Sequence, residues 1–239
     1  MSPEGAFNAI DGGKTDFTKP RGNLSTDDMA VLYAYLNQKG HLEELIAAFG
    51  QLFAERSPKN PVIVDLGSGP FTGGLALAST FCGKFCFDYI GVDRAPSMRR
   101  FGEYLASSES VPGQIKRQWV SDITEVNWES PPGWRDIIVI VSYLFASPTL
   151  DVGSLFDSLE RLLIRIGRGR VMLLYTNATA DTQNVQYKLF RNKLIEAEFS
   201  LEAEDHGQIF IKRAHGVQVR NLRYALFYRN RQRRLQLGK

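Results

Sequence analysis

Pro61-Val62-Ile63-Val64-Asp65-Leu66-Gly67-Ser68-Gly69-Pro70 is the stretch on which the reading of this chain turns. Three consecutive β-branched residues, Val62 to Val64, read as a strand buried on both faces. The run ends on Asp65 and breaks into Gly67, Gly69, Gly73 and Gly74, followed by an apolar segment, Leu75 to Phe81, that reads as a helix. Strand, glycine turn and helix in that order build a nucleotide-type pocket. Glycine lets the backbone approach a ligand without a Cβ, and the helix start points unpaired N–H groups into the site.

Phe87-Asp-Tyr-Ile-Gly-Val-Asp93 reads as a second buried strand ending in an acid. In doubly wound folds that acid lies beside the first turn and accepts hydrogen bonds from a ribose. A dinucleotide fingerprint needs G-x-G-x-x-G, and the spacing from Gly69 puts Thr72 at the third glycine. The pattern instead resembles the class I S-adenosylmethionine-dependent methyltransferases, whose first motif runs acid-x-G-x-G-x-G. Asp65, Gly67 and Gly69 match it, and Phe71 stands at the third glycine.

The resemblance implies an α/β fold: a Rossmann-like, doubly wound sheet, mostly parallel, with an antiparallel C-terminal hairpin strand and helices before it. The later strands fit Ile115 to Asp122, Asp136 to Ser142 and Arg170 to Tyr175, with a helix over Val152 to Ile166. Ile209 to Lys212 and Leu222 to Tyr228 fit the closing hairpin. S-adenosylmethionine is the implied cofactor. Asp65, Gly67, Ser68 and Gly69 would hold its methionine end, Asp93 and Arg94 its ribose side, and Asp122 with the Ile123 N–H its adenine. Ser142 would close the cofactor pocket and, with Tyr143, orient an acceptor. Tyr175 and Asn177 are further candidates after the fifth strand.

The resemblance covers residues 60–230. Residues 24–56 read as N-terminal helices on the substrate side, capped by Ser25 or Thr26 and broken near Gly40, with Tyr33 and Tyr35 as ordinary aromatics. Residues 1–23, rich in Gly, Pro and polar side chains, are expected to lack stable structure. The chain has 239 residues, 44% of them hydrophobic, which suits one globular domain with a small appendage. No apolar run nears the roughly 20 residues of a membrane span, and no signal peptide is read, so a cytoplasmic protein without a membrane partner is expected. Cys82 and Cys86 read as buried structural thiols, and no metal site is expected. His41, His206 and His215 receive no role as a base.

Net charge is +3, but it is unevenly spread. From His206 to Lys239 there are nine basic residues and no acid, which suggests attraction to a polyanion. Arginine forms forked contacts to phosphate, so Arg220, Arg223, Arg229, Arg231, Arg233 and Arg234 form a candidate nucleic-acid surface, with residues 229–239 as a basic tail. The partner expected is an RNA or ribonucleoprotein. Methyltransferases for base amino groups carry Asn/Asp-Pro-Pro-aromatic after strand four, where this chain has Ser142-Tyr143-Leu144-Phe145. Those for cytosine C5 need a cysteine there, and the Lys-Asp-Lys-Glu set of many ribose enzymes needs an acid at that strand's end, whereas Asp136 stands at its beginning. A short similarity, in the Ser-Gly-Pro turn, the Val92-Asp93-to-Met98 pattern and Ser142-Tyr143-Leu144, links the chain to ribosome-associated, methyltransferase-like proteins of the small subunit. The expected function is methyl transfer to RNA. The alternatives are a non-catalytic RNA- or ribosome-binding protein on the same fold, and a methyltransferase for a small molecule or protein.

Overall fold

A computed structural model describes residues 2–53, 57–81, 86–108, 116–129, 134–146, 150–167, 169–213 and 216–230. Seven strands form one sheet: β1 (Val62–Leu66), β2 (Asp88–Val92), β3 (Arg117–Val120), β4 (Ile137–Ser142), β5 (Val171–Ala178), β6 (Ser200–Arg213) and β7 (Gly216–Arg229). Their order is β3-β2-β1-β4-β5-β7-β6. Strands β1 to β5 pair in parallel, and β7 joins β5 antiparallel. The order reverses between β1 and β4, so the crevice beyond their carboxyl ends is where such a sheet takes a ligand.

Alternation along β1 divides the interior into two layers. Val62, Val64 and Leu66 join one core with Val139, Leu173 and Leu159. Ile63 faces the other core, with Ile140, Leu174 and residues of two helices, α3 (Lys39–Leu52) and α4 (Thr72–Phe81). Asp65 follows Ile63 on that second face, which brings its carboxylate under those helices.

Helix α6 (Val152–Ile166) spans the expected residues, with the Asp151 carboxylate accepting from the Ser154 N–H as its cap. Helix α5 (Pro96–Ala106) and helix α7 (Val185–Glu196) complete the layers. The sequence reading had not marked α7. The hairpin is also longer than expected, and its outer part pairs Gln208 to Arg213 with Asn221 to Gly216 beyond the end of β5.

The N-terminal region departs from expectation. Residues expected to lack structure carry α1 (Pro3–Ala9), and Ile10 is fully buried. Helix α2 (Thr26–Tyr33) starts with a reciprocal Ser25–Asp28 capping box and leads through a π turn, Ala34–Gln38, straight into α3. Gly40 does not break this run. A Cβ there would lie 1.9 Å from an Arg220 guanidinium nitrogen, so glycine lets β7 approach the helix.

Candidate active site

The loop after β1 is bent by three left-handed residues: Gly67 at φ 71°, Gly69 at 51° and Phe71 at 68°. The third motif position thus keeps a glycine-like backbone with a phenylalanine on it, a conformation that disfavours L side chains by about 1–2 kcal/mol. The Phe71 ring is buried edge-on to Tyr89, 4.7 Å between centroids, and fills the space over Gly74. The loop is tied to β2 through the Gly67 and Ser68 N–H groups, both donating to the Val92 carbonyl. A Cβ on Gly67 would press on Leu144, and one on Gly73 would strike the Asp65 carboxylate, whereas one on Gly69 would project into open space.

The two strand-end acids brace this loop. Asp65 accepts the Tyr89 hydroxyl at 2.6 Å, and burial pushes its carboxyl up to about 7, against the opposing pull of that hydroxyl. Asp93 accepts the Gly69 N–H at 2.9 Å on one oxygen and the Ala95 N–H at 2.8 Å on the other. Burial raises its carboxyl as well, and the two amides pull the other way. Each oxygen still has lone-pair capacity for a further donor. Arg94 is exposed and lies 3.7 Å from Asp16. Asp122 is exposed at the end of β3, held low by the Thr124 hydroxyl and N–H, and Ile123 beside it is buried.

A cleft with about 320 Å³ of empty space, its open mouth included, lies against the loop. Asp65, Gly67, Ser68, Gly69, Thr72 and Gly73 form one wall. Ser142 and Tyr143 line the other side, as the sequence suggested, together with Tyr33, His41 and Leu45, which it did not. Ser142 accepts the Thr176 hydroxyl at 2.9 Å. Tyr143 takes a left-handed φ of 58° and donates its hydroxyl to Glu44 at 3.0 Å. Glu44, 1% exposed, also faces His41 Nδ1 at 3.0 Å and Arg220 Nε at 2.6 Å. The His41 ring lies 4.1 Å from the Tyr143 ring and stacks on Tyr33 at 6.2 Å. The His41-x-x-Glu44 spacing on one helix face was the only signal in the sequence for this cluster.

Other candidates serve the fold. Tyr175 donates to Asn184 and stacks on Tyr187 at 3.9 Å. Asn177 is buried and donates to the Gln183 carbonyl. Cys86 is exposed, contrary to expectation, and Cys82 and His215 lie outside the described residues. His206 is exposed on β6 beside Asp205. Of the candidate nucleic-acid arginines, Arg220 is paired with Glu44, Arg223 with Asp181 at 3.5 Å, and Arg229 with Glu160 through two contacts of 2.9 Å. Their charge is therefore largely spent within the protein. Arg231, Arg233 and Arg234 lie outside the described residues. Among the described residues no cluster of three metal-binding side chains occurs, and no helix is long and apolar enough to cross a membrane.

No protein-family model matches the sequence, and no curated protein matches it either. Solved structures do. The N-methyltransferase NodS from Bradyrhizobium japonicum, in complex with S-adenosyl-L-homocysteine, aligns with a TM-score of 0.51 over 83% of this chain and 91% of its own, at 13% identity. This chain has the class I methyltransferase fold. The same fold is matched in precorrin 8w decarboxylase of Methanobacterium thermoautotrophicum, with a TM-score of 0.50 at 16% identity over 77% of this chain and 88% of that one. Magnesium protoporphyrin IX methyltransferase from Synechocystis, also with S-adenosyl-L-homocysteine bound, aligns over 95% and 97% of the two chains at 12% identity, with a TM-score of 0.48. A methyltransferase fold that also houses a decarboxylase leaves the reaction to be read from the residues of the site.

Proposed function

We propose that this protein is an S-adenosylmethionine-dependent methyltransferase. The observation that carries the reading is the Gly67–Gly69 turn, braced by Asp93 and open to the cleft at the one position where a Cβ would meet nothing. A backbone cradle of that kind accommodates a nucleoside with a charged amino-acid end. Asp65, Ser68 and Gly69 would hold the methionine end, Asp93 the ribose, and Asp122 with the Ile123 N–H the adenine. The bound molecule supplies an electrophilic methyl group. The chain's own task is to hold an acceptor in line with it and to exclude water, which accounts for most of the acceleration such transfers need.

Calorimetric titration with S-adenosylmethionine and S-adenosylhomocysteine tests this. Micromolar affinity is expected for the wild type, with a loss of at least about tenfold, or about 1.4 kcal/mol, in Gly69→Val. Unchanged affinity in a folded Gly69→Val protein would remove the turn from the cofactor site.

A second reading concerns the acceptor. The acid-free, base-rich end from His206 to Lys239 favours RNA, although Arg220, Arg223 and Arg229 are paired internally. Residues 231–239 are then the part that would contact it. Deleting them should weaken binding of a structured RNA and flatten its salt dependence. Equal RNA affinity with and without them, or none in either, would direct attention to smaller acceptors.

A further inference from the structure

The cluster on α3 has a form that the cofactor wall does not require. Glu44 is enclosed by three groups from distant parts of the chain: the His41 imidazole, the Tyr143 hydroxyl and the Arg220 guanidinium. A carboxylate accepts only, so the Nδ1 that faces it is the nitrogen that donates, and Nε2 is the one left to take up a proton. Tyr143 and Arg220 fix the carboxylate in turn, so the imidazole has little freedom to rotate away. His41 itself lines the cleft with Gly67, Gly69 and Ser142, and its ring packs against those of Tyr33 and Tyr143.

This arrangement matters for the choice of acceptor. A neutral amine or a thiolate already presents its electron pair, whereas a hydroxyl keeps its proton at neutral pH and needs a base to receive it. A histidine backed by a buried carboxylate is suited to that work.

We infer that His41 is the proton acceptor for a hydroxyl group on the methyl acceptor, with Glu44 as its positioning residue; this rests on the methyltransferase reading above. The acceptor oxygen forms a bond to the methyl carbon, and the carbon–sulfur bond breaks with its electron pair staying on sulfur. The hydroxyl proton passes to His41 Nε2 and from there to solvent. Tyr143 and Arg220 act through Glu44.

The test uses para-nitrophenol, which absorbs visible light only when ionised, titrated into the full-length protein saturated with S-adenosylhomocysteine. The wild type should bind the phenol and lower its apparent pKa by about one unit, a tenfold change in its ionisation equilibrium. His41→Gln, titrated at saturating S-adenosylhomocysteine, should abolish that shift. Glu44→Gln, which keeps a hydrogen-bond acceptor for Nδ1 without its charge, should reduce the shift without removing it. A purely structural cluster would leave the phenol's ionisation unmoved. Phenol bound with an unshifted pKa, or not bound at all, by protein that binds S-adenosylhomocysteine overturns the assignment and spares the methyltransferase reading. Failure of the wild type to bind S-adenosylhomocysteine overturns both.

Discussion

Asp65 is the residue with the clearest consequence for pH. Its carboxyl is raised from 3.8 to about 7, first of all by burial. The folded state therefore binds its proton more tightly than the unfolded chain does. The associated stabilisation is complete below about pH 4 and is lost as pH climbs through 7. A three-unit shift corresponds to roughly 4 kcal/mol as an upper bound. Asp65→Asn keeps an acceptor for the Tyr89 hydroxyl and removes the titration. Urea denaturation between about pH 5 and pH 8 should show the variant gaining on the wild type as pH rises, and a pH-independent difference would refute the account. At this scale the sequence was legible where backbone geometry dictates residue type. Gly67 and Gly69 stand at left-handed positions, and their identity alone marks the turn. Phe71 misleads for the opposite reason: buried ring packing against Tyr89 holds a bulky residue where the backbone would favour glycine.

Among the elements, the parallel strands were readable because burial on both faces demands unbroken runs such as Ile137 to Val141. Helix α6 was readable because its apolar stripe is broad and its cap is explicit. Helix α7 was missed because it buries only Tyr187, Phe190 and Leu194, and charged residues fill much of the rest. Of the hairpin, Ile209 to Lys212 and Leu222 to Tyr228 were readable, and the rest of β6 and β7 was missed because much of it is exposed on both faces, which leaves no alternation to detect. Its inner end is fastened by Arg229, which forks onto Glu160, donates to the Ala197 carbonyl at 3.0 Å and covers the Phe199 ring at 4.2 Å. The pair is only 13% and 25% exposed. Arg229→Ala should cost about 2 kcal/mol, lowering the melting temperature by about 4–8 °C. A change under about 1 °C in calorimetry would show the contact to be idle.

At the scale of the whole molecule, the N-terminal segment is held by the region around α5. The segment before α2 lies against α5 through Phe17, whose carbonyl accepts from Ser97, and pairs Asp16 with Arg94 just ahead of that helix, while α2 adds the Asp27–Arg100 pair. It also packs Phe17 on Tyr33, 5.6 Å between rings, so a stretch that reads as unstructured by composition is ordered by what it lands on. The glycine-turn wall of the cleft was legible because one local motif builds it. The His41–Glu44 side was not, because its partners arrive from elsewhere, Tyr143 from 99 residues downstream and Arg220 from the last strand.

The Glu44–Arg220 contact also ties the rear wall of the cleft to β7. Without that strand the Glu44 carboxylate would be buried with no positive charge against it, at a cost of several kcal/mol. The rear wall is therefore stable only when β7 is docked on α3.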